Sequence, residues 1–169
     1  MIFLFDPADL SQYSGLSPDN QRDWRRRGFL DGVGELQSNG RWKYSAINVI
    51  RIAVAKTLVS RRLVTDIADA IHIAGRVASY VWFRLSAPSK TPDKIEDHYR
   101  QIRYVVAFGA MEEGDQIQIE VFEKLESVGK FRLGALLVVD CHILADELAE
   151  ILRPAIAMHV NAMIMRDSI

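Results

Sequence analysis

Three arginines, Arg22, Arg25 and Arg26, lie close together in a polar stretch of the chain. Residues three or four positions apart share one face of a helix, so we expect these side chains to lie together. A guanidinium group stays charged and can bind a phosphate, or the edge of a guanine, through two N–H donors. The neighbouring amides of Asn20 and Gln21 suit adenine edges in the same way. This combination of residue types is typical of a surface that contacts nucleic acid.

A second basic group follows in residues 31–43, which contain three glycines and few apolar side chains. We interpret this segment as a flexible hairpin, the predicted wing, whose cations Arg41 and Lys43 would contact backbone phosphates. The hydroxyl of Tyr44 would add a contact, or its ring would instead hold the wing against the core. The alternative for the arginines is a basic helix face that only water contacts.

Two short helices are predicted to position these side chains. The cap-plus-proline signals Asp6-Pro7 and Ser17-Pro18 predict helices over residues 7–13 and 18–27. Gly15 can adopt the left-handed conformation that a sharp turn between two helices requires. Ser17, at the start of the second helix, is included among the candidate DNA-contacting residues.

The whole pattern predicts an α+β fold. A mostly helical winged helix-turn-helix would be followed by a small α/β domain with about three strands and a long C-terminal helix. The further predicted helices cover residues 45–58, 64–74, 76–85 and 143–165, and Pro154 would kink the last of them. The predicted strands cover residues 102–110, 116–122 and 135–140, with a hairpin turn at 111–115.

The same pattern suggests two domains. The predicted division is a DNA-binding domain over residues 1–86, a linker over 87–94 and a dimerisation or regulatory α/β domain over 95–169. Proline and serine in the stretch from Ala87 to Pro92 mark the linker.

Basic and acidic residues are distributed unequally between the two halves. Residues 1–90 hold 13 Lys and Arg against 8 Asp and Glu, whereas residues 91–169 hold 8 against 14, in agreement with the formal net charge of −1. A basic first half suits a polyanion, and DNA would repel the acidic second half. We therefore expect the second half to handle partners or regulation.

The cysteine content and the apolar runs bear on the compartment. One cysteine, Cys141, cannot form an internal disulfide, which favours a reducing cytoplasm. The apolar run at residues 2–5 is too short for a signal peptide, and no stretch approaches the length of a membrane span. We expect a cytoplasmic protein without membrane contact.

Cys141-His142, with His159 and several methionines, raises the question of a metal site or of a nucleophile beside Asp140. A single cysteine does not form the paired thiolate site of a metal sensor, and methionines on a helix are usually core or interface. Adjacent residues of a strand point to opposite faces, which opposes a catalytic pair. We therefore expect no metal, no cofactor and no catalytic residue, and the chain is not interpreted as an enzyme.

Several pieces of the first 75 residues resemble the winged-helix domain of the mercury-resistance-regulator (MerR) family. The pieces, in the family's order, are Gly15-Leu16-Ser17, Arg22-Asp23-Trp24, Arg27-Gly28-Phe29-Leu30 and Gly40-Arg41-Trp42-Lys43-Tyr44-Ser45. This resemblance implies a recognition helix, a basic wing and a homodimer that regulates transcription. The chain departs from the family at Asp23-Trp24, which replaces an aromatic pair, and it lacks the long coiled-coil helix that follows there.

The leading hypothesis is therefore a sequence-specific transcription regulator of bacterial or phage origin that binds double-stranded DNA as a homodimer. The alternative is an excisionase-like or architectural DNA binder of a phage or mobile element. A third hypothesis is a module whose arginine helix docks an acidic protein. A small-molecule or protein effector at the C-terminal domain is left open.

Overall fold

Four helices and a short hairpin form the N-terminal part of the structure, a computed structural model that describes residues 4–87, 94–109, 117–130 and 136–167. The helices are α1 (Pro7–Ser14), α2 (Pro18–Arg26), α3 (Ala46–Ser60) and α4 (Ile67–Leu85). The hairpin lies between α2 and α3 and consists of β1 (Glu35–Leu36) and β2 (Trp42–Lys43).

The predicted starts of α1, α2 and α3 are confirmed, and each cap residue accepts hydrogen bonds from backbone N–H groups that have no partner within the helix. Asp6 accepts from the N–H groups of Ala8 and Asp9 at 2.8 and 2.9 Å. Ser17 accepts from the N–H of Asn20 at 3.3 Å. Ser45 caps α3 through a reciprocal pair with Asn48. Gly15 follows α1 with a φ of 69°, in the left-handed conformation that the sequence predicts.

The β1–β2 hairpin is antiparallel and very short, with Glu35 opposite Lys43 and Leu36 opposite Trp42. Its base is tied to the chain's beginning because Phe5 and Tyr44 exchange two backbone hydrogen bonds, at 2.8 and 2.9 Å. Gly34 lies directly against the Tyr44 ring, so that a Cβ at position 34 would be 2.7 Å from ring carbon Cδ1. This close approach fixes the entry into the hairpin.

Helix α4 corrects the prediction of two separate helices over residues 64–74 and 76–85, because it runs unbroken through Gly75. A glycine inside a helix costs about 1 kcal/mol relative to alanine, which packing can offset. The guanidinium of Arg51 lies 3.4 Å from the place a Cβ on Gly75 would take, and Arg51 Nε donates to the Ile71 carbonyl at 3.1 Å. The buried face continues across the glycine through Ala74 and Val77.

The C-terminal part contains a three-stranded antiparallel sheet in the order β4-β3-β5. The strands are β3 (Tyr104–Phe108), β4 (Gln118–Phe122) and β5 (Leu136–Asp140), and β3 begins two residues later than predicted. Helix α5 (Lys94–Gln101) and a 3₁₀ helix (Leu125–Lys130) were not predicted. The predicted turn at 111–115 and residues 88–93 of the predicted linker lie outside the described residues.

Helix α6 (Cys141–Asp167) begins directly after β5 and continues past Pro154. Its inner face, with Leu144, Leu148 and Leu152, joins residues of α3 and α4 in one hydrophobic core that also includes residues of β3 and β5. The coarse prediction of a mixed α+β fold, with N-terminal helices, a three-stranded sheet and a long C-terminal helix, is confirmed. The division into two domains and the kink at Pro154 stay predictions.

Within the described ranges, every helix is too short or too polar to cross a bilayer.

Substitution of Gly34 tests the close packing at the base of the hairpin. Gly34→Ala and Gly40→Ala both place a Cβ on a residue with positive φ, 84° and 76°, at a cost of about 1 kcal/mol each. Only Gly34→Ala also forces the Cβ into Tyr44, since no atom lies within 4 Å of the Cβ position at Gly40. We expect Gly34→Ala to lower the free energy of unfolding, measured by urea denaturation, by about 1–3 kcal/mol more than Gly40→Ala. Equal losses would contradict the packing described.

Candidate nucleic-acid interface

The outer face of α2 presents three guanidinium groups to solvent. The side chains of Arg22, Arg26 and Arg27 are 75%, 77% and 57% exposed. Ser17 and Asn20, at the start of the same helix, are also exposed. Trp24 lies on the opposite face and is buried, which anchors the helix and fixes which side faces outward. Arg22 and Arg26, four positions apart, therefore share one open face of α2, and Ser17 and Asn20 are exposed at its N-terminal end.

Each exposed arginine of α2 forms an ion pair with an aspartate of the same helix. Arg22 pairs with Asp19, and Arg26 pairs with Asp23 at 2.7 Å. Arg27 reaches the second oxygen of Asp23 at 3.0 Å. The pKa of Asp23 is lowered, first by the hydrogen bond from Arg26 and also by Arg27. Exposed pairs of this kind are weak, so a phosphate can replace the carboxylate as the partner of an arginine.

Gln21 faces inward and holds α2 against α1. The side chain is buried, and its amide nitrogen donates to the carbonyl oxygens of Pro7 at 2.9 Å and of Leu16 at 3.0 Å. Both N–H donors of the amide thus have partners within the protein. The sequence grouped Gln21 with the residues that read adenine, and in this conformation its amide is not presented to a base.

Arg25 also points away from the open face, towards the β1–β2 hairpin. Its two terminal nitrogens donate to the carbonyl oxygens of Leu30 at 3.0 Å and Val33 at 2.8 Å. One of them also donates to the Tyr44 hydroxyl at 3.3 Å. The guanidinium carbon lies 3.5 Å from the centroid of the Trp42 ring. Arg25 was predicted as a DNA contact beside Arg22, whereas its donors are used inside the protein.

Tyr44 is a buried residue of the core. Its ring therefore holds the base of the hairpin, which was the predicted alternative to a contact between its hydroxyl and DNA. Its hydroxyl accepts the hydrogen bond from Arg25 and lies on the inner side of the hairpin. A direct contact between this hydroxyl and a ligand would need the Arg25 side chain to move first.

Arg41 and Lys43 lie on the outer part of the hairpin, Arg41 exposed and Lys43 half-buried. With the start of α1 they line a cleft of about 640 Å³. Asp6 lines the same cleft, and its pKa is lowered, first by the N–H of Asp9 and also by the charge of Lys43. The cleft therefore carries two cations and one carboxylate that already caps a helix.

Sequence reasoning did not assign roles to Arg27 and Trp42. Arg27, which directly follows α2, adds a third exposed cation beside Arg26. Trp42 belongs to the predicted wing. An aromatic ring in a basic segment is a possible partner for an arginine, and this was the feature of the sequence that could have indicated the stack. Arg25 is the cation to consider for that stack, because it lies four residues after the buried Gln21, on the flank of the buried face of α2.

The Asp140-Cys141-His142 segment lies at the junction of β5 and α6. Asp140 accepts from the N–H groups of His142 and Ile143, at 3.0 and 3.1 Å, and forms an ion pair with Arg103 at 2.8 Å. Cys141 is fully buried, and burial raises the pKa of its thiol to about 12. The pKa of His142 is lowered, first by burial and then by the charge of Arg84. This geometry is that of a capped helix start.

His159, the other residue of the metal hypothesis, packs edge-on against Trp82 with ring centroids 5.4 Å apart. Among the described residues, no three His, Cys, Asp or Glu side chains are grouped so that they could hold a metal ion.

The chemistry available on α2 and the hairpin is anion binding and hydrogen-bond donation from cations held on rigid elements. No protein-family model matches the sequence, and a search of curated proteins found no match. The functional interpretation therefore depends on the geometry of these two elements and on the resemblance seen in the sequence.

The reactivity of Cys141 tests the burial at the β5–α6 junction. Only a thiolate attacks a disulfide reagent, and a thiol with a pKa of about 12 is ionised in about one molecule in 10⁴ at pH 8. We expect the native protein to react with an aromatic disulfide reagent at least about 100-fold more slowly than the same protein in urea. Similar rates in the two states would show that the thiol is accessible.

Proposed function

We propose that the chain is a sequence-specific transcription regulator of the winged-helix type that binds double-stranded DNA. In this proposal α2 is the recognition helix that enters the major groove, and the β1–β2 hairpin is the wing beside it. The observation that carries the proposal is the pair Arg22 and Arg26, exposed on one face of α2 with a basic hairpin held alongside. The resemblance to the MerR family agrees with this assignment.

The ion pairs of the chain favour an external polyanion, rather than the chain's own acidic half, as the binding partner of the arginines on α2. Among the described residues, Arg22, Arg26 and Arg27 pair only within α2 or at its end. Ion pairs between the two halves use other arginines, Arg61 with Glu147 and Arg84 with Asp146. In the part of the chain that the structure describes, no acidic residue of the C-terminal half forms an ion pair with the arginines of α2.

The proposed contacts divide by type. Arg22, Arg26 and Asn20 would reach base edges or phosphates in the major groove, because these are the exposed long or amide side chains of α2. Arg41 and Lys43 would bind the backbone next to the groove, which positions the protein without reading sequence. Asp23 would hold Arg26 and Arg27 in place before the DNA arrives.

A homodimer is part of the proposal, because one module of this size makes few contacts for an operator-grade affinity. A two-fold dimer on a palindromic site doubles the number of arginines that reach the DNA. Helix α6 is the proposed dimer contact, and its outer face carries the exposed apolar residues Ile151 and Met158.

Charge removal on α2 tests the proposal. A binding site is first selected from random double-stranded DNA with the full chain, and Arg22→Ala and Arg26→Ala are then compared by gel retardation. We expect each variant to lose at least about fivefold in affinity for the selected site, since one good base contact is worth about 1–3 kcal/mol. Where the lost contact was to a phosphate, the slope of log affinity against log salt also falls by about one.

The matched control is Arg76→Ala, which removes the same charge from an exposed position on α4. It should bind as the parent does, and the circular dichroism of all three variants should be unchanged. Parent-like binding by Arg22→Ala and Arg26→Ala would reject α2 as the recognition helix. Absence of DNA binding by the parent at low salt would favour the acidic-protein hypothesis, and tandem sites at a recombination region would favour the excisionase-like one.

A further inference from the structure

The β1–β2 hairpin cannot hold its own position. It contains two pairs of facing residues, and an isolated two-stranded hairpin of any length is at best marginally stable in water. Its order must therefore come from contacts at its base and along its inner side. Tyr44, through its backbone pair with Phe5, secures the end of the hairpin nearest the core.

Arg25 connects α2 to the hairpin. Its guanidinium donates to Leu30 and Val33 in the segment that enters β1, and it stacks on Trp42 in β2. The same group also donates to Tyr44 just after β2. One side chain of α2 thus touches the chain on both sides of the hairpin.

We propose that Arg25 is a positioning residue: it sets the distance and angle between the recognition helix and the wing, and it affects DNA binding through the wing cations Arg41 and Lys43. The inference rests on the proposed function of α2 and the hairpin. It changes the role that the residue type suggests, because an arginine on a recognition helix is ordinarily taken as a DNA contact.

The geometry requires an arginine at this position. A planar guanidinium can lie flat on the indole of Trp42 and still direct its in-plane N–H groups at two separate carbonyl oxygens. A lysine ammonium is a point charge without a plane. Arg25→Lys would therefore keep the charge but could not keep both the stack on Trp42 and the two hydrogen bonds to carbonyl oxygens. In the described part of the chain, no carboxylate lies within ion-pair distance of Arg25, and the carbonyl oxygens and ring faces are its partners.

The first test uses hydrogen exchange in the free full-length protein and does not depend on DNA. The reporters are the backbone amides of Gln37 and Gly40, which close the hairpin turn through bonds to Arg41 and Gln37. We expect Arg25→Ala to accelerate their exchange at least about tenfold and Arg25→Lys to give an intermediate rate. The adjacent variant Arg26→Ala removes an equal charge from the exposed face and should leave these rates unchanged.

The second test measures coupling on the selected DNA site. If Arg25 acts through the wing, Arg25→Ala should cost much less affinity in a Lys43→Ala, Arg41→Ala background than in the parent. Arg26→Ala should cost the same factor in both backgrounds, because its contact does not depend on the wing. Equal losses for Arg25→Ala in both backgrounds would instead make Arg25 a direct contact.

Two results separate this inference from the proposed function. Unchanged hairpin exchange in both Arg25→Ala and Arg25→Lys would overturn the positioning role, whatever the affinity for DNA. If the parent protein binds no DNA but Arg25→Ala still accelerates exchange in the hairpin, Arg25 positions the hairpin as inferred. The proposed function in DNA binding would then be rejected. If Arg25→Ala fails to fold, Arg25→Lys carries both tests, because it preserves the charge and the length of the side chain.

Discussion

The stack of Arg25 on Trp42 is the interaction on which the arrangement of α2 and the hairpin depends. A cation–π contact of this kind contributes about 1 kcal/mol, and hydrogen bonds from a charged donor to Leu30 and Val33 add about 2 kcal/mol each. Without them, a hairpin of two residue pairs would lose these bonds to α2 and would be held from its base, where Tyr44 pairs with Phe5. A rigid relation between two basic elements is what a surface needs to match the fixed spacing of grooves and phosphates along DNA.

Contacts with the hydrophobic core also hold α2 and the hairpin in place. Trp24 and Gln21 attach the inner face of α2 to α1 and the core, while Tyr44 attaches the hairpin to Phe5. The inner face of α6 joins α3 and α4 in the same core, so the acidic C-terminal part meets the N-terminal helices on a side that leaves the arginines of α2 exposed. Such a division places the positive surface where a polyanion can approach.

Much of the fold could be predicted because the signals are local. Caps such as Ser17 and turn glycines such as Gly15 act on their own neighbours, and the alternation of apolar residues at 117, 119 and 121 predicts a strand with one buried face. The prediction of two helices in place of α4 was wrong because a glycine such as Gly75 usually indicates a helix end. The packing of Arg51 against Gly75 cannot be inferred from the sequence. Tertiary contacts of this kind override local propensity.

The candidate site was only partly predictable for a related reason. Residue types and spacing placed arginines on one helix, but Arg22 was grouped with Arg25 at a separation of three. Trp24 fixes the inner face, which carries Gln21 and Arg25, and leaves Arg22 and Arg26, four apart, on the outer face. A helical wheel centred on Trp24 indicates the outer position of Arg22 and Arg26, whereas Arg25 lies at the edge of the inner face and its partners are seen only in the structure.

The most direct measurement is a nuclear magnetic resonance titration of the arginine side-chain Nε–Hε signals with a double-stranded DNA site. The account predicts that the signals of Arg22 and Arg26 move on saturation, together with that of Arg41 on the hairpin. The Arg25 signal should be nearly unmoved, because its guanidinium already bonds within the protein. A large shift at Arg25 with none at Arg22 and Arg26, or changes confined to arginines outside α2 and the hairpin, would contradict the account.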